Sequence, residues 1–313
     1  PRSPNSVYTY LHLMTGQHLA QTGITQVIGG MGELGQALAK VAENEGVTLK
    51  LESEVQNITK TEDRVTGVKL VSGELISAEL IVSNADPTTT FRDLLGYHKI
   101  EAGMVRRVEH YRSKSSTAKL HVALSGLPNF LGLTENQLSE RLVITPSMDD
   151  MERALNPVKY SEISDQHVLD ISIPTVEDPS LAPAGQHVLT AIVHYVPYAP
   201  QLGWESARPV LLEKLINQLE TQAPGIRSLV VASEVVVPPD FESSHGITGG
   251  SWHHGELSID QALMMRPFPG STQYATAIEG LYLCGAGAHP GGGLQGLPGR
   301  NAAREILRRG ALQ

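Results

Sequence analysis

Apolar positions recur along the chain in two spacings, and the change from one to the other marks out its elements. Between residues 32 and 45, Leu34, Leu38 and Val41 stand three or four apart, which predicts a helix with Gly46 as its C-terminal cap. The same spacing predicts a short helix over residues 8–21 with Leu11, Met14 and Leu19 on one face. A longer helix is predicted over residues 205–222, where Leu211, Leu212, Leu215, Ile216 and Leu219 form the apolar stripe and Pro224-Gly225 ends it. A last helix is expected over residues 300–309. Shorter apolar runs predict strands at 47–51 and 80–83, with a hairpin over 55–70 turning near Glu62 and Asp63 and a further strand over 74–78. Asn84-Ala85-Asp86-Pro87 stops the strand at 80–83, because proline has no N–H to donate and holds its predecessor out of the helical region. Farther on, partial alternation over 117–124, 168–173, 188–195 and 229–237 predicts a mainly antiparallel sheet, with the 205–222 helix covering one face. Residues 280–284 are a short strand that opens into glycine.

Composition narrows the class. The 313 residues are 41% hydrophobic and 18% charged, ordinary for a globular protein and long enough for two domains or one large one. A net charge of -9 offers no broad positive field for a phosphate backbone or anionic lipid, so nucleic acid is not an expected partner. The single cysteine, Cys284, excludes an internal disulfide and a multi-cysteine metal site, which fits an intracellular protein. No apolar run approaches the ~20 residues of a membrane-spanning helix; the most apolar stretch, 229–237, is interrupted by Ser233 and Glu234. The chain opens Pro1-Arg2-Ser3-Pro4-Asn5, without an initiator methionine or the features of a signal peptide, so its natural start is expected elsewhere.

Two glycine-rich segments compete for a nucleotide. Gly30-Met31-Gly32-Glu33-Leu34-Gly35 matches GxGxxG, opens a helix, and has Glu52 about 20 residues on, as a nicotinamide-dinucleotide site would. It lacks a convincing strand before it, since Gln26-Val27-Ile28 runs straight into Gly29; a tight loop that starts a helix explains the glycines better. The second segment, from Gly285 to Gly293, lies between a strand and a helix, where backbone N–H groups and a helix dipole suit a diphosphate or a flavin oxygen.

The string LYLCGAGAHPGGGLQGLPGRNAA, residues 281–303, resembles the C-terminal flavin-binding signature of phytoene-desaturase-like FAD oxidoreductases. Within that group the resemblance is strongest to the pyridine nucleotide-disulfide oxidoreductase domain-containing subgroup. VIGGMGELGQALA at 27–39, VSNADP at 82–87 and HGELSIDQALMMRP at 254–267 match family segments in the same order, so the likeness covers nearly the whole chain. It implies an α/β (α+β overall) chain: an incomplete FAD/NAD(P)-binding Rossmann-like domain from residues 26–96 and 277–313, and a substrate domain of mainly antiparallel sheet and helices from 1–25 and 97–276. Family members begin with a strand, a GxGxxG turn and an acidic residue that grip the ADP half of FAD. Their absence before Pro1 implies an engineered truncation, a proteolytic product or a natural fragment, with FAD weakly held or lost, and a distorted FAD half or self-association to a homodimer.

By the same resemblance Gly285, Ala286 and Gly287 approach the ribityl and diphosphate chain, and Gly292, Gly293 and Leu294 meet the isoalloxazine ring. Val55 stands where related flavoproteins bind adenine through the backbone, and Asn84 and Ala85 border the adenosine side; a core valine and a plain turn are the alternative readings. His254, Glu256 and His289 are the candidate general bases, each with a packing role as its alternative. His253, His254 and His289 lack regular ligand spacing, so no metal is expected. Arg300 and Asn301 either fix the last helix against the loop or only decorate its surface, and Cys284 is read as a buried strand residue. Three functions follow: the C-terminal part of an FAD-dependent oxidoreductase acting on an apolar or amphipathic small molecule, cytoplasmic in a bacterium or mitochondrial in a eukaryote; a cofactor-free substrate-binding or oligomerisation fragment; and an NAD(P)-binding protein using Gly30–Gly35.

Overall fold

The computed structural model describes residues 26–310 except Pro146 and Gln295. The helix expected over 8–21 lies outside the described residues. In chain order the strands are β1 Val55–Thr61, β2 Arg64–Leu70, β3 Leu75–Ser77, β4 Ile81–Ser83, β5 Thr117–Leu124, β6 Leu142–Ile144, β7 Val168–Ser172, β8 His187–His194, β9 Val230–Val236 and β10 Leu281–Leu283. The α-helices of eight or more residues are α1 Met31–Asn44, α2 Ala102–Glu109, α3 Met148–Leu155, α4 Gly203–Gln222, α5 Pro238–His245 and α6 Leu297–Arg308. The described chain divides into two compact units, residues 26–49 with 115–238, and residues 50–114 with 239–310.

The first unit is built on a five-stranded antiparallel sheet of order β6-β7-β8-β5-β9. Strand β5 alternates strictly, with Ala118, Leu120, Val122 and Leu124 buried and the residues between them half-buried. Opposite them on β8, Leu189, Ala191 and Val193 are buried in the same core. Leu211, Leu215, Ile216 and Leu219 of α4 pack on this face, as the helical stripe predicts. Burying each such leucine or isoleucine contributes about 1.5–3 kcal/mol, so this layer dominates the unit's stability. Strand β6, three residues long, is too short to show a period in the sequence. Residues 26–49 join this unit through the Gly29 N–H, which donates to Asp178 Oδ2 at 2.7 Å.

The second unit holds a three-stranded antiparallel sheet, β1-β2-β3, and a two-stranded parallel sheet, β10-β4. The β1–β2 hairpin turns at Glu62 and Asp63 as expected, with Glu62 at φ 52. Phe91 and Leu95, on a π-helical turn at Thr89–Gly96, pack with Met104 and Val108 of α2, Tyr111 and Phe268. The Phe268 ring stands edge-on to Tyr111 at 5.9 Å, which keeps residues 97–114 and the segment around 268 in one core.

Two expectations are corrected. Residues 47–51 form no strand: the Val47 N–H closes the end of α1 on Ala42 O at 3.0 Å, no ladder partner follows, and Val47, Leu49 and Leu51 are exposed. Gly46, at φ 87, makes the expected C-terminal cap. The last helix starts at Leu297 instead of residue 300, because Pro298 suits a first helical turn and extends it toward the glycine loop. No helix among the described residues is long and apolar enough to cross a membrane.

Candidate functional site

In the second unit, β4 and β10 run parallel with Ile81, Val82 and Ser83 opposite Leu281, Tyr282 and Leu283. Both therefore end at the same edge, and the Cys284 N–H extends the pairing to Ser83 O at 2.9 Å. The carboxyl edge of a parallel sheet is where open α/β folds place ligands. Here it sets the Gly285–Gly293 loop beside Asn84–Pro87.

The glycines are required by that closeness. A Cβ on Gly285 would stand 2.5 Å from Asn84 O and 3.1 Å from His254 Nδ1, and one on Gly287 would stand 2.6 Å from Pro87 Cδ. One on Gly292 would meet His253 Nδ1 at 2.9 Å. The expected site residues Asn84, Gly285, Gly287 and Gly292 thus come together with His253 and His254. The loop's own turns use Ala288 N–H to Gly285 O and Gly291 N–H to Ala288 O, both at 2.9 Å. The N–H groups of Gly285, Ala286 and Gly287 donate no hydrogen bond among the described residues, although Gly285 and Gly287 are buried. Buried donors without partners are uncommon and mark a place where a further acceptor fits. Gly293 and Leu294 are exposed, and Val55 begins β1 in the separate three-stranded sheet.

The three candidate bases separate. His254 is held at φ 54, in the left-handed region, and its carbonyl accepts from Tyr111 Oη at 2.6 Å. Its Nδ1 is buried without a hydrogen-bond partner. Burial lowers its pKa below the ordinary histidine value; Asp86 opposes this shift and Arg266 reinforces it, leaving a neutral ring at pH 7. Backbone strain and an unsatisfied buried nitrogen in one residue are uncommon, and they set His254 apart from the other two candidates. Glu256 instead accepts from Arg112 Nε at 2.7 Å, in a half-exposed ion pair. His289 Nδ1 sits 3.1 Å from Leu263 O, away from the His254 ring's contacts. Asn301 donates to Tyr274 Oη at 2.9 Å, which ties α6 to the segment before β10, and half-buried Cys284 directs its thiol to Ser83 O.

Three residues that the sequence reading passed over organise this site. Asp86 is buried and accepts from the N–H groups of Thr89 and Thr248, each at 3.0 Å, and from Thr89 Oγ1 at 2.7 Å, joining the strand end to a distant loop. Tyr111 is buried, and burial pushes its phenol up to about 12, so it remains a donor. Arg266 is fully buried and makes hydrogen bonds only to main-chain carbonyls. The signal for it was a lone charge inside the apolar run Ala262-Leu263-Met264-Met265-Arg266-Pro267-Phe268.

In the first unit the open face of the antiparallel sheet borders a cavity of 540 Å³, lined among others by Ile28, Lys119, Arg141, Asp170, Thr190 and Ile192. Arg141 grips Asp170 with a two-point fork, which raises the arginine pKa despite partial burial. The side chain of half-buried Lys119 makes no hydrogen bond or ion pair among the described residues. The cavity's walls are mostly polar, with Ile28 and Ile192 as apolar patches among Lys119, Glu140, Arg141, Asp170 and Glu177. Around Gly30–Gly35 the described residues show no dinucleotide frame: Gln26 and Val27 form no strand, and Glu52 belongs to none. No group of three or more metal-ligating side chains occurs among the described residues.

Residues 4–307 match the family described as flavin containing amine oxidoreductase. The chain is 33% identical over 321 residues to pyridine nucleotide-disulfide oxidoreductase domain-containing protein 2 of Rattus norvegicus, covering 98% of this chain and 55% of that protein. It is 29% identical to the lycopene-forming phytoene desaturase of Pseudescherichia vulneris, over 95% of this chain and 58% of the relative. Its fold is similar to an oxidoreductase from Methanosarcina mazei, with a TM-score of 0.57 at 18% identity over 90% of this chain and 55% of that one. A redesigned putrescine oxidase gives 0.52 at 14% identity over 90% of this chain and 53% of that one. The chain thus spans little more than half the length of these relatives.

Proposed function

Since the chain belongs to the flavin containing amine oxidoreductase family, we propose that it supplies the cofactor loop and substrate sheet of an FAD-dependent dehydrogenase of the phytoene-desaturase type, acting on an apolar or amphipathic small molecule. The observation that carries this reading is the loop after β10, with three N–H groups that have no partner among the described residues beside a strained, neutral histidine. These features fit a flavin dinucleotide: Gly285, Ala286 and Gly287 would hold its diphosphate and ribityl chain, and Gly292, Gly293 and Leu294 its ring system. Asn84, Ala85 and Val55 would border the adenosine. A bound flavin supplies the acceptor for a hydride equivalent. His254, neutral and with Nδ1 unpartnered among the described residues, is the group we assign to take the accompanying proton. The cavity over the antiparallel sheet supports an amphipathic substrate, since Ile28 and Ile192 line it together with Lys119 and Thr190.

A second reading, a cofactor-free fragment that associates with itself, is favoured by the bare apolar face of α1, where Leu38 and Val41 are exposed and no residue is buried. Absorbance from about 300 to 500 nm, where flavins absorb, separates the two. The spectrum is recorded on this chain with and without added FAD, and on a longer version carrying an N-terminal GxGxxG segment. Flavin bands retained by either protein support the oxidoreductase reading. Their absence from both, with dimers in sedimentation, supports the fragment.

A further inference from the structure

Arg266 presents a problem of charge that the proposed function does not use. The residue is 0% exposed, yet no carboxylate forms an ion pair with it among the described residues. Its guanidinium is satisfied by main-chain carbonyls alone. Nη1 donates to Glu256 O and Gln261 O, each at 3.1 Å, and Nη2 to His253 O. Both Nε, at 3.0 Å, and Nη2, at 2.9 Å, donate to Ala286 O. Burying a cation that no carboxylate touches is costly, and a well-packed apolar side chain would hold these segments at less expense. The arrangement makes sense where the charge acts on something else.

The two-point grip on Ala286 O identifies what it acts on. That carbonyl shares a peptide unit with the Gly287 N–H, and the unit is trans, so the N–H points away from the guanidinium. A carbonyl that accepts from a cation polarises its whole peptide unit, which strengthens the N–H as a donor. The Gly287 N–H is one of the three that have no acceptor. The same guanidinium also holds the carbonyls of His253 and Glu256, which flank His254, so one buried charge fixes the loop and the histidine together.

We propose that Arg266 is a positioning residue for the dinucleotide: by clamping Ala286 O from below, it aims and strengthens the Gly287 N–H as a donor to the cofactor's diphosphate. This rests on the flavin reading above.

The test compares Arg266→Met and Arg266→Lys with the unsubstituted protein, in whichever length retains FAD, and measures dissociation constants for FAD and for riboflavin, which has no phosphate. Far-ultraviolet circular dichroism checks folding, and if Arg266→Met does not fold, Arg266→Lys carries the comparison. The expected result is FAD binding weakened at least tenfold in Arg266→Met, less in Arg266→Lys, with riboflavin affinity unchanged in both. Equal losses for the two ligands would reduce Arg266 to a structural support, and an unchanged FAD affinity would remove it from the site; either overturns the proposal while the flavin reading stands. An unsubstituted protein that binds neither ligand at either length removes the flavin reading and this inference with it.

Discussion

Two helices in this chain follow glycine-rich segments, and they are built to opposite ends. Helix α6 buries Pro298, Ala302 and Ile306, and the loop before it packs so closely on Asn84, Pro87 and His253 that a Cβ at Gly285, Gly287 or Gly292 has no room. Helix α1 has no fully buried residue, with only Leu34, Ala39 and Ala42 half-buried, and a Cβ on Gly32 or Gly35 would meet no atom within 4 Å. The literal GxGxxG string is therefore the looser of the two. A motif records which residue types are present, whereas glycine is required only where the backbone takes a positive φ, as at Gly30, or where another segment comes close enough to exclude a side chain, as at Gly287.

That contrast is open to direct test. Ile306→Ala should cost about 2–4 kcal/mol, the usual penalty for emptying a buried aliphatic site, whereas Leu38→Ala on α1 should stay within about 0.5 kcal/mol in urea unfolding. A Leu38→Ala cost that matches Ile306→Ala would mean that α1 is covered in solution, as self-association would require. Next in size, Gly287→Ala should destabilise by about 1–3 kcal/mol through overlap with Pro87, read as a lower denaturation midpoint; a neutral outcome would show that the loop can open. In the opposite direction, Gly35→Ala should stabilise by about 0.5–1 kcal/mol, because alanine is the better helix former and meets no obstacle. A destabilising Gly35→Ala would put a close neighbour against α1 and erase the distinction.

The smallest expected effect concerns pH. Burial depresses the His254 pKa in the folded state, so between that value and the unfolded value of about 6.5 the folded protein binds fewer protons than the unfolded chain. The stability tied to the neutral ring is present above about pH 6.5 and is lost as pH falls through the folded value. Thermal melting of His254→Gln should accordingly decline less on acidification than that of the parent, and parallel pH profiles would show that His254 is not held neutral. Helix α1 contains no histidine, so Leu38→Ala should leave the profile unchanged.

Much of the fold was legible in the residues. The antiparallel strands and α4 announce themselves because a buried face repeats every second residue in one and every three or four in the other, as in Leu120, Val122 and Leu124 against Leu211, Leu215 and Leu219. The stop at Asn84–Pro87 and the strand-loop-helix order around Gly285 follow from backbone chemistry that acts within a few residues. The apolar run at 47–51 misled, because a strand exists only when a partner ladder meets it. The site itself was legible only in part: the glycines and His254 stood out as types, Arg266 was marked only as a lone charge in an apolar run, and Tyr111 and Asp86 had no local mark of their role.

Local patterning therefore settled which segments are helix, strand and turn, since those choices depend on periodicity, capping and the backbone limits of proline and glycine. Long-range contact settled the rest. Asp86 reaches Thr248 across 162 positions, Tyr111 reaches His254 across 143, and Arg266 reaches Ala286 around an intervening strand. Hydrogen bonds across such separations depend on where the folded backbone carries each group, and no spacing rule along the chain encodes that.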